Sequence, residues 1–158
     1  MARVLSDSSK TGSKRAPGSV PRTIGRIGLG AVLLFAGVSH LTVARDAFQA
    51  QVPEWLPLDK DFVVVASGAV EIALGGALVA LPKKKTAVGW VVAAFFVAIF
   101  PGNISQLVTH TDAFGLDTDR ARAIRLVFQP VLVAWALWST QAWQVWREVR
   151  DESASRSR

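Results

Sequence analysis

Four apolar runs of about twenty residues, separated by short polar breaks, constrain this chain more than any other feature of its sequence. They cover roughly Ile24–Ala44, Phe62–Leu81, Thr86–Thr109 and Ile124–Trp146. At ~1.5 Å of rise per residue, each is long enough as a helix to cross a hydrocarbon core about 30 Å thick. A soluble domain of 158 residues can also reach the 51% apolar content seen here, so composition alone does not separate the two cases. The distribution does, because polar residues crowd into both ends and three interruptions. In lipid a backbone must satisfy its own N–H and C=O groups, so Phe62-Val63-Val64-Val65, which would suit a strand in water, is expected to be helical. The expected fold class is all-α: an integral membrane four-helix bundle. Only Pro82-Lys83-Lys84-Lys85 links the second and third runs, which predicts that those helices are antiparallel neighbours.

Residues 1–22, Ser-rich and basic, read as a disordered cytoplasmic tail, residues 23–146 as the membrane domain and residues 147–158 as a charged cytoplasmic tail. A cleaved signal peptide is the rival reading of the first segment. The run Ile27–Ala44 is too long for a signal core, and its basic leader is too extended. Lys and Arg set the orientation. Placing both termini and the Lys83–Lys85 turn on one side gathers 13 of the 18 basic residues there, and leaves five opposite beside seven of the twelve acids. Basic segments stay inside, so both termini are predicted to be cytoplasmic, in a multi-pass protein of the inner membrane. Trp90, Trp138, Trp143 and Trp146 fall near the cytoplasmic ends of their runs, and Trp55 lies in the outer loop, as an interfacial belt requires. The net charge of +6 then reads as topology, with anionic lipid at the cytoplasmic face as partner and not nucleic acid. The absence of cysteine excludes disulfides, CxxC redox pairs and thiolate metal sites.

Polar groups inside the runs are the place to look for function, because they are costly there. The first run carries Ser39 and His40, the second Ser67 and Glu71, and the third Asn103, Ser105 and Gln106 after Pro101. Arg125 stands at the mouth of the fourth, with Gln129 one turn deeper. Counted from the outer ends, His40 lies about 6 Å down, Gln129 about 8 Å, Asn103 about 9 Å and Glu71 about 14 Å. All four belong to the outer half, while the inner half is almost wholly apolar. Ser67, Gly68, Glu71 and Gly75 share one helical stripe, as do Gly30, Leu33, Gly37 and His40, and small residues on such stripes let helices approach closely. The pocket candidates are therefore His40, Ser67, Glu71, Asn103, Arg125 and Gln129. Burying the Glu71 carboxylate in a span is costly unless His40 or Arg125 lies close enough to offset it. Interhelical hydrogen bonding is the plainer role for Asn103 and Gln129. Pro101 predicts a kink that frees the Val97 carbonyl, with Asn103 placed to satisfy freed backbone groups.

Several motif matches fail on context. Asn103-Ile104-Ser105 is a glycosylation sequon inside a span, and Gly25-x-x-Gly28-x-Gly30 follows no strand. His40 and Glu71 are too few for a metal site, and Ser39 beside His40 makes no triad because adjacent helical side chains diverge. No catalytic set and no cofactor site is predicted from the residues. The outer loop Arg45–Asp61 carries Phe48, Val52, Trp55 and Leu56, while Pro53 and Pro57 prevent a long helix. It reads as an interfacial anchor, or as a lid over the outer-half pocket.

At these residues the chain resembles the DoxX-like family of small bacterial membrane proteins. The resemblance rests on Phe35-Ala36-Gly37-Val38-Ser39-His40-Leu41, on Val52-Pro53 and Leu56-Pro57, and on Ser67-Gly68-x-x-Glu71-Ile72-x-Leu74-Gly75. It continues through Phe100-Pro101-x-Asn103 and Arg125-x-x-x-Gln129-Pro130, and spans about residues 27–140. It implies a four-helix membrane bundle and, from the family's named members, a link to quinone-coupled thiosulfate oxidation and membrane oxidoreductase assemblies. Without cysteine, thiol-using members are no functional guide. The leading expectation is a non-catalytic protein that binds a small amphipathic ligand or serves as membrane subunit of a redox-related complex, alone or as a homo-oligomer. A transporter component is a second expectation and a quinone-linked oxidoreductase subunit a third, with quinone the one cofactor admitted.

Overall fold

The computed structural model describes residues 19–113, 115 and 118–156. Six α-helices account for most of them: α1 (Ser19–Leu41), α2 (Arg45–Gln49), α3 (Lys60–Ala80), α4 (Lys85–Val108), α5 (Asp119–Ser139) and α6 (Ala142–Arg156). No strand occurs among the described residues. Four of the helices, α1, α3, α4 and α5, are long and apolar enough to cross a membrane. Asp59 caps α3 by accepting from the Phe62 N–H at 2.9 Å, and Thr118 caps α5 through Ala121 at 3.2 Å, so both of these helices begin with a filled orphan donor. Helix α1 starts at Ser19, inside the segment 1–22 assigned above to a tail; residues 1–18 lie outside the described residues.

The bundle is built from two closely packed pairs. In the first, the glycine stripes of α1 and α3 meet face to face. A Cβ on Gly30 would lie 2.9 Å from the Gly75 carbonyl oxygen, and one on Gly37 would lie 2.6 Å from that of Gly68. Only glycine permits backbones this close. In the second pair α4 packs on α5. The two sequence neighbours α3 and α4, joined by a 3-10 turn at Pro82–Lys84, touch far less than either pair does internally. The short link places them side by side, as expected, but the tight contacts form where small residues allow them.

One apolar cluster ties the pairs together at the end that holds the lysine turn. It takes Leu29 and Leu33 from α1, Leu78 from α3, Val92, Ala93 and Phe96 from α4, and Ala136 from α5. Beside it the Trp135 indole N–H donates to the Gly25 carbonyl at 3.0 Å, joining α5 to α1. Arg26 is buried and reaches the Val79 carbonyl.

The fourth apolar run does not form one helix over Ile124–Trp146. It stops at Ser139, and a break at Thr140–Gln141 hands Trp143 and Trp146 to α6. The Thr140 hydroxyl donates to the Ala136 carbonyl at 2.7 Å and packs directly on Gly89 of α4, where no side chain would fit. Gln141 then adopts a left-handed φ of 63°, and its amide oxygen accepts from Lys85. Helix α6 continues to Arg156, through most of the segment 147–158 read as a charged tail, with Arg150 stacked over Trp146 at 4.9 Å.

Candidate functional site

Where the apolar cluster ends, a cavity begins. It has a volume of about 580 Å³ and lies between the two helix pairs at the end opposite the lysine turn. Leu33 and Phe96 belong to both the cluster and the cavity wall. All six candidate residues, His40, Ser67, Glu71, Asn103, Arg125 and Gln129, line this one space.

On the α1–α3 wall, the glycine contact carries His40 against Glu71. Gly68 sits against the base of the His40 side chain, where a Cβ would stand 2.7 Å from the Cβ of His40. His40 Nδ1 lies 2.9 Å from Glu71 Oε2 and also 2.9 Å from the Ala36 carbonyl oxygen. The carbonyl accepts the N–H hydrogen bond, and Oε2 is left without any hydrogen-bond donor. Both residues are buried, at 7% and 5% exposure, so His40 forms part of the wall and not the rim. Phe48 of the loop stacks flat on the imidazole, with ring centroids 3.3 Å apart. Ser67 lies one turn before Glu71 and donates its hydroxyl to the Val64 carbonyl at 3.0 Å.

On the α4–α5 wall, Asn103 Nδ2 donates to Gln129 Oε1 at 2.9 Å, and Gln129 Nε2 donates to the Phe96 carbonyl at 2.6 Å. Here the expectation for Pro101 needs correction. It is Gln129, from the neighbouring helix, and not Asn103 that reaches the α4 backbone, one residue before the Val97 carbonyl that Pro101 deprives of its donor. The longer side chain arrives from across the interface, whereas Asn103 is too short to fold back along its own helix.

At the mouth, Arg125 donates to Gln51 Oε1 at 3.0 Å and to Gln106 Oε1 at 3.4 Å, while Gln51 Nε2 donates to Gln106 Oε1 at 2.9 Å. These contacts strap the loop across the α4–α5 pair. Its other end is held to α3 by Arg45, which grips Asp61 through two bonds of 2.6 and 2.5 Å, with Gln49 adding a third donor at 2.7 Å. Hydrogen bonding to Asp61 holds the Arg45 guanidinium above its ordinary pKa. Between these ties Phe48, Val52, Trp55 and Leu56 line the cavity, so the loop closes over the space. Gln51 and Phe48 were not among the expected site residues. Gln106 was noticed in the sequence as polar, and its position one turn after Asn103 was the available signal.

Comparison with known proteins adds one relation. A family model described as a domain of unknown function, DUF8561, matches residues 29–140. The chain belongs to the DUF8561 family. No curated protein and no solved structure matches it. The DUF8561 segment contains all six candidate residues, both glycine pairs and the loop, and it ends at Thr140, where α5 breaks into α6. The family unit therefore takes in α3, α4, α5, the part of α1 from Leu29 onward and the cavity between them.

Proposed function

We propose that this DUF8561 protein is a four-span integral membrane protein that binds a small amphipathic molecule in the cavity. The apolar lengths of α1, α3, α4 and α5 support insertion. So do large outward-facing side chains such as Phe35, Val97 and Val127, which stand 76%, 60% and 65% exposed and would be covered by lipid. The lysine turn and both termini face the cytoplasm in this reading, by the bias of basic residues, and the cavity opens in the outer half. The DoxX-like resemblance of residues 27–140 supports the same architecture and a bacterial inner membrane. Helix α6, with Trp143, Trp146 and Arg150 on its surface, would lie at the cytoplasmic headgroups.

One observation carries the ligand reading. A cavity of about 580 Å³, within the usual size of small-molecule sites, holds a buried carboxylate oxygen, Glu71 Oε2, that no protein group donates to. A buried polar atom without a partner costs about 1–3 kcal/mol, and a bound donor would remove that cost. Native mass spectrometry of the full chain, released in mild detergent, tests this. The unmodified protein should retain a small molecule that Glu71→Gln and Asn103→Ala lose. Identical adducts on all three proteins would remove the cavity as the binding site.

A further inference from the structure

We infer that the cavity selects a molecule whose head group donates hydrogen bonds and accepts none, namely an alkyl ammonium ion. This rests on the ligand-binding reading above and narrows it. The reasoning starts from backbone carbonyls, which can only accept. Ala36 O takes the hydrogen of His40 Nδ1, which is therefore turned away from Glu71 Oε2. Val64 O takes the single hydrogen of the Ser67 hydroxyl, and Oγ can thereafter only accept. Phe96 O orients the Gln129 amide by binding its Nε2. Gln129 Oε1 must then face Asn103, Asn103 must answer with Nδ2, and its Oδ1 is left over as an acceptor, while each amide nitrogen keeps a second N–H. Glu71 Oε2 is an acceptor without a donor.

On the α1–α3 wall the His40 Nδ1 and Ser67 hydroxyl hydrogens are thus spent on backbone carbonyls, and Glu71 Oε2 and Ser67 Oγ are left to accept from whatever enters the cavity. The positive charge of the site, Arg125, stands at the mouth, where its guanidinium grips Gln51 of the strap and Gln106 of α4. A carboxylate head would meet Glu71 Oε2 and Ser67 Oγ, acceptors like itself. An alcohol would supply one donor but bring lone pairs of its own. An ammonium group supplies three N–H donors, no acceptor, and the charge that matches Glu71. Its hydrocarbon tail would lie along Val32, Leu33, Phe128 and Leu132, which line the same space.

Calorimetric titration of the full chain in lipid nanodiscs, with empty nanodiscs as blank, tests this with octylammonium, octanol and octanoate. Octylammonium should bind about tenfold or more tightly than octanoate, and more tightly than octanol. Glu71→Gln should lower octylammonium affinity about tenfold while leaving octanol little changed, and Ser67→Ala should lower it a few-fold. Ser67→Ala decides the matter if Glu71→Gln fails to fold. Octanoate or octanol binding as tightly as octylammonium would overturn the inference and leave the ligand-binding reading standing. So would octylammonium affinity that neither substitution changes. Failure of all three probes to bind the unmodified protein would overturn both.

Discussion

Two adjacent glycines in α3 give opposite predictions for the same substitution. A Cβ on Gly75 would lie 2.7 Å from the Gly30 carbonyl oxygen and 2.9 Å from both the amide nitrogen and Cγ of Leu34. Two of those three atoms are backbone, so α1 itself must move. A Cβ on Gly76 meets nothing within 4 Å. Replacing either glycine by alanine gains the same helix propensity, about 0.5–1 kcal/mol. Overpacking a close contact costs about 1–3 kcal/mol, and only Gly75 incurs it. Gly75→Ala should therefore destabilise the protein, while Gly76→Ala should leave it unchanged or stabilise it slightly. Because the propensity gain is common to both, the difference between the two variants isolates the steric cost of opening the α1–α3 contact, about 1–3 kcal/mol. Reversible unfolding in mixed micelles of rising sodium dodecyl sulfate content, followed by far-ultraviolet circular dichroism, measures both. Variants that agree within about 0.5 kcal/mol would mean that the glycine stripes do not hold α1 on α3, and the close approach of those two helices would lose its explanation.

Two further predictions concern the other helix pair and the orientation. In a double-mutant cycle of Asn103→Leu and Gln129→Leu, the single variants should cost more than the double implies, with a coupling of about 0.6–2 kcal/mol by the same unfolding assay; additive effects would show that the bond between them contributes nothing. The cysteine-free sequence makes labelling clean: a membrane-impermeant thiol reagent should modify Glu54→Cys in intact cells and Ser155→Cys only after permeabilisation, and the reverse pattern would invert the proposed topology.

What the sequence disclosed, and what it hid, follows from the range of each interaction. Glu71 was legible because a carboxylate in an apolar run is conspicuous on composition alone, and the glycine stripes because helical spacing puts Gly30 with Gly37 and Gly68 with Gly75. The loop strap was not legible. Gln51 lies in a segment without periodicity, and nothing local says that its amide will cross to Gln106 and Arg125. The end of α5 was hidden for a different reason. Apolar and aromatic residues continue past Ser139, and the break depends on Thr140 hydrogen-bonding back to Ala136 and fitting against Gly89, a residue about fifty positions away. The short link disclosed which helices adjoin but not how closely they pack, since it brings α3 and α4 together but only small side chains let backbones approach.

The same division of labour explains why the cavity lies at one end only. Large apolar residues from all four long helices fill the space between the pairs beside the lysine turn, and they close-pack there because Leu29, Leu33, Leu78 and Phe96 face inward at one level. Past Leu33 on α1 and Phe96 on α4, the inward positions pass to shorter or polar residues: Ala36, Ser67, Glu71, Asn103 and Gln129. Each of those polar side chains except Glu71 binds within its own helix pair, to a backbone carbonyl or to its neighbour, and none bridges the gap. His40 and Glu71 likewise stay on the α1–α3 wall. The polar residues therefore stiffen the two walls without drawing them together, and the loop, held by Asp61 on one side and by Gln106 and Arg125 on the other, is what spans the opening. A chain that only needed stability would fill this space with leucine, since an apolar core costs no desolvation. Keeping it open, and keeping a carboxylate without a donor inside it, makes sense if something else completes it.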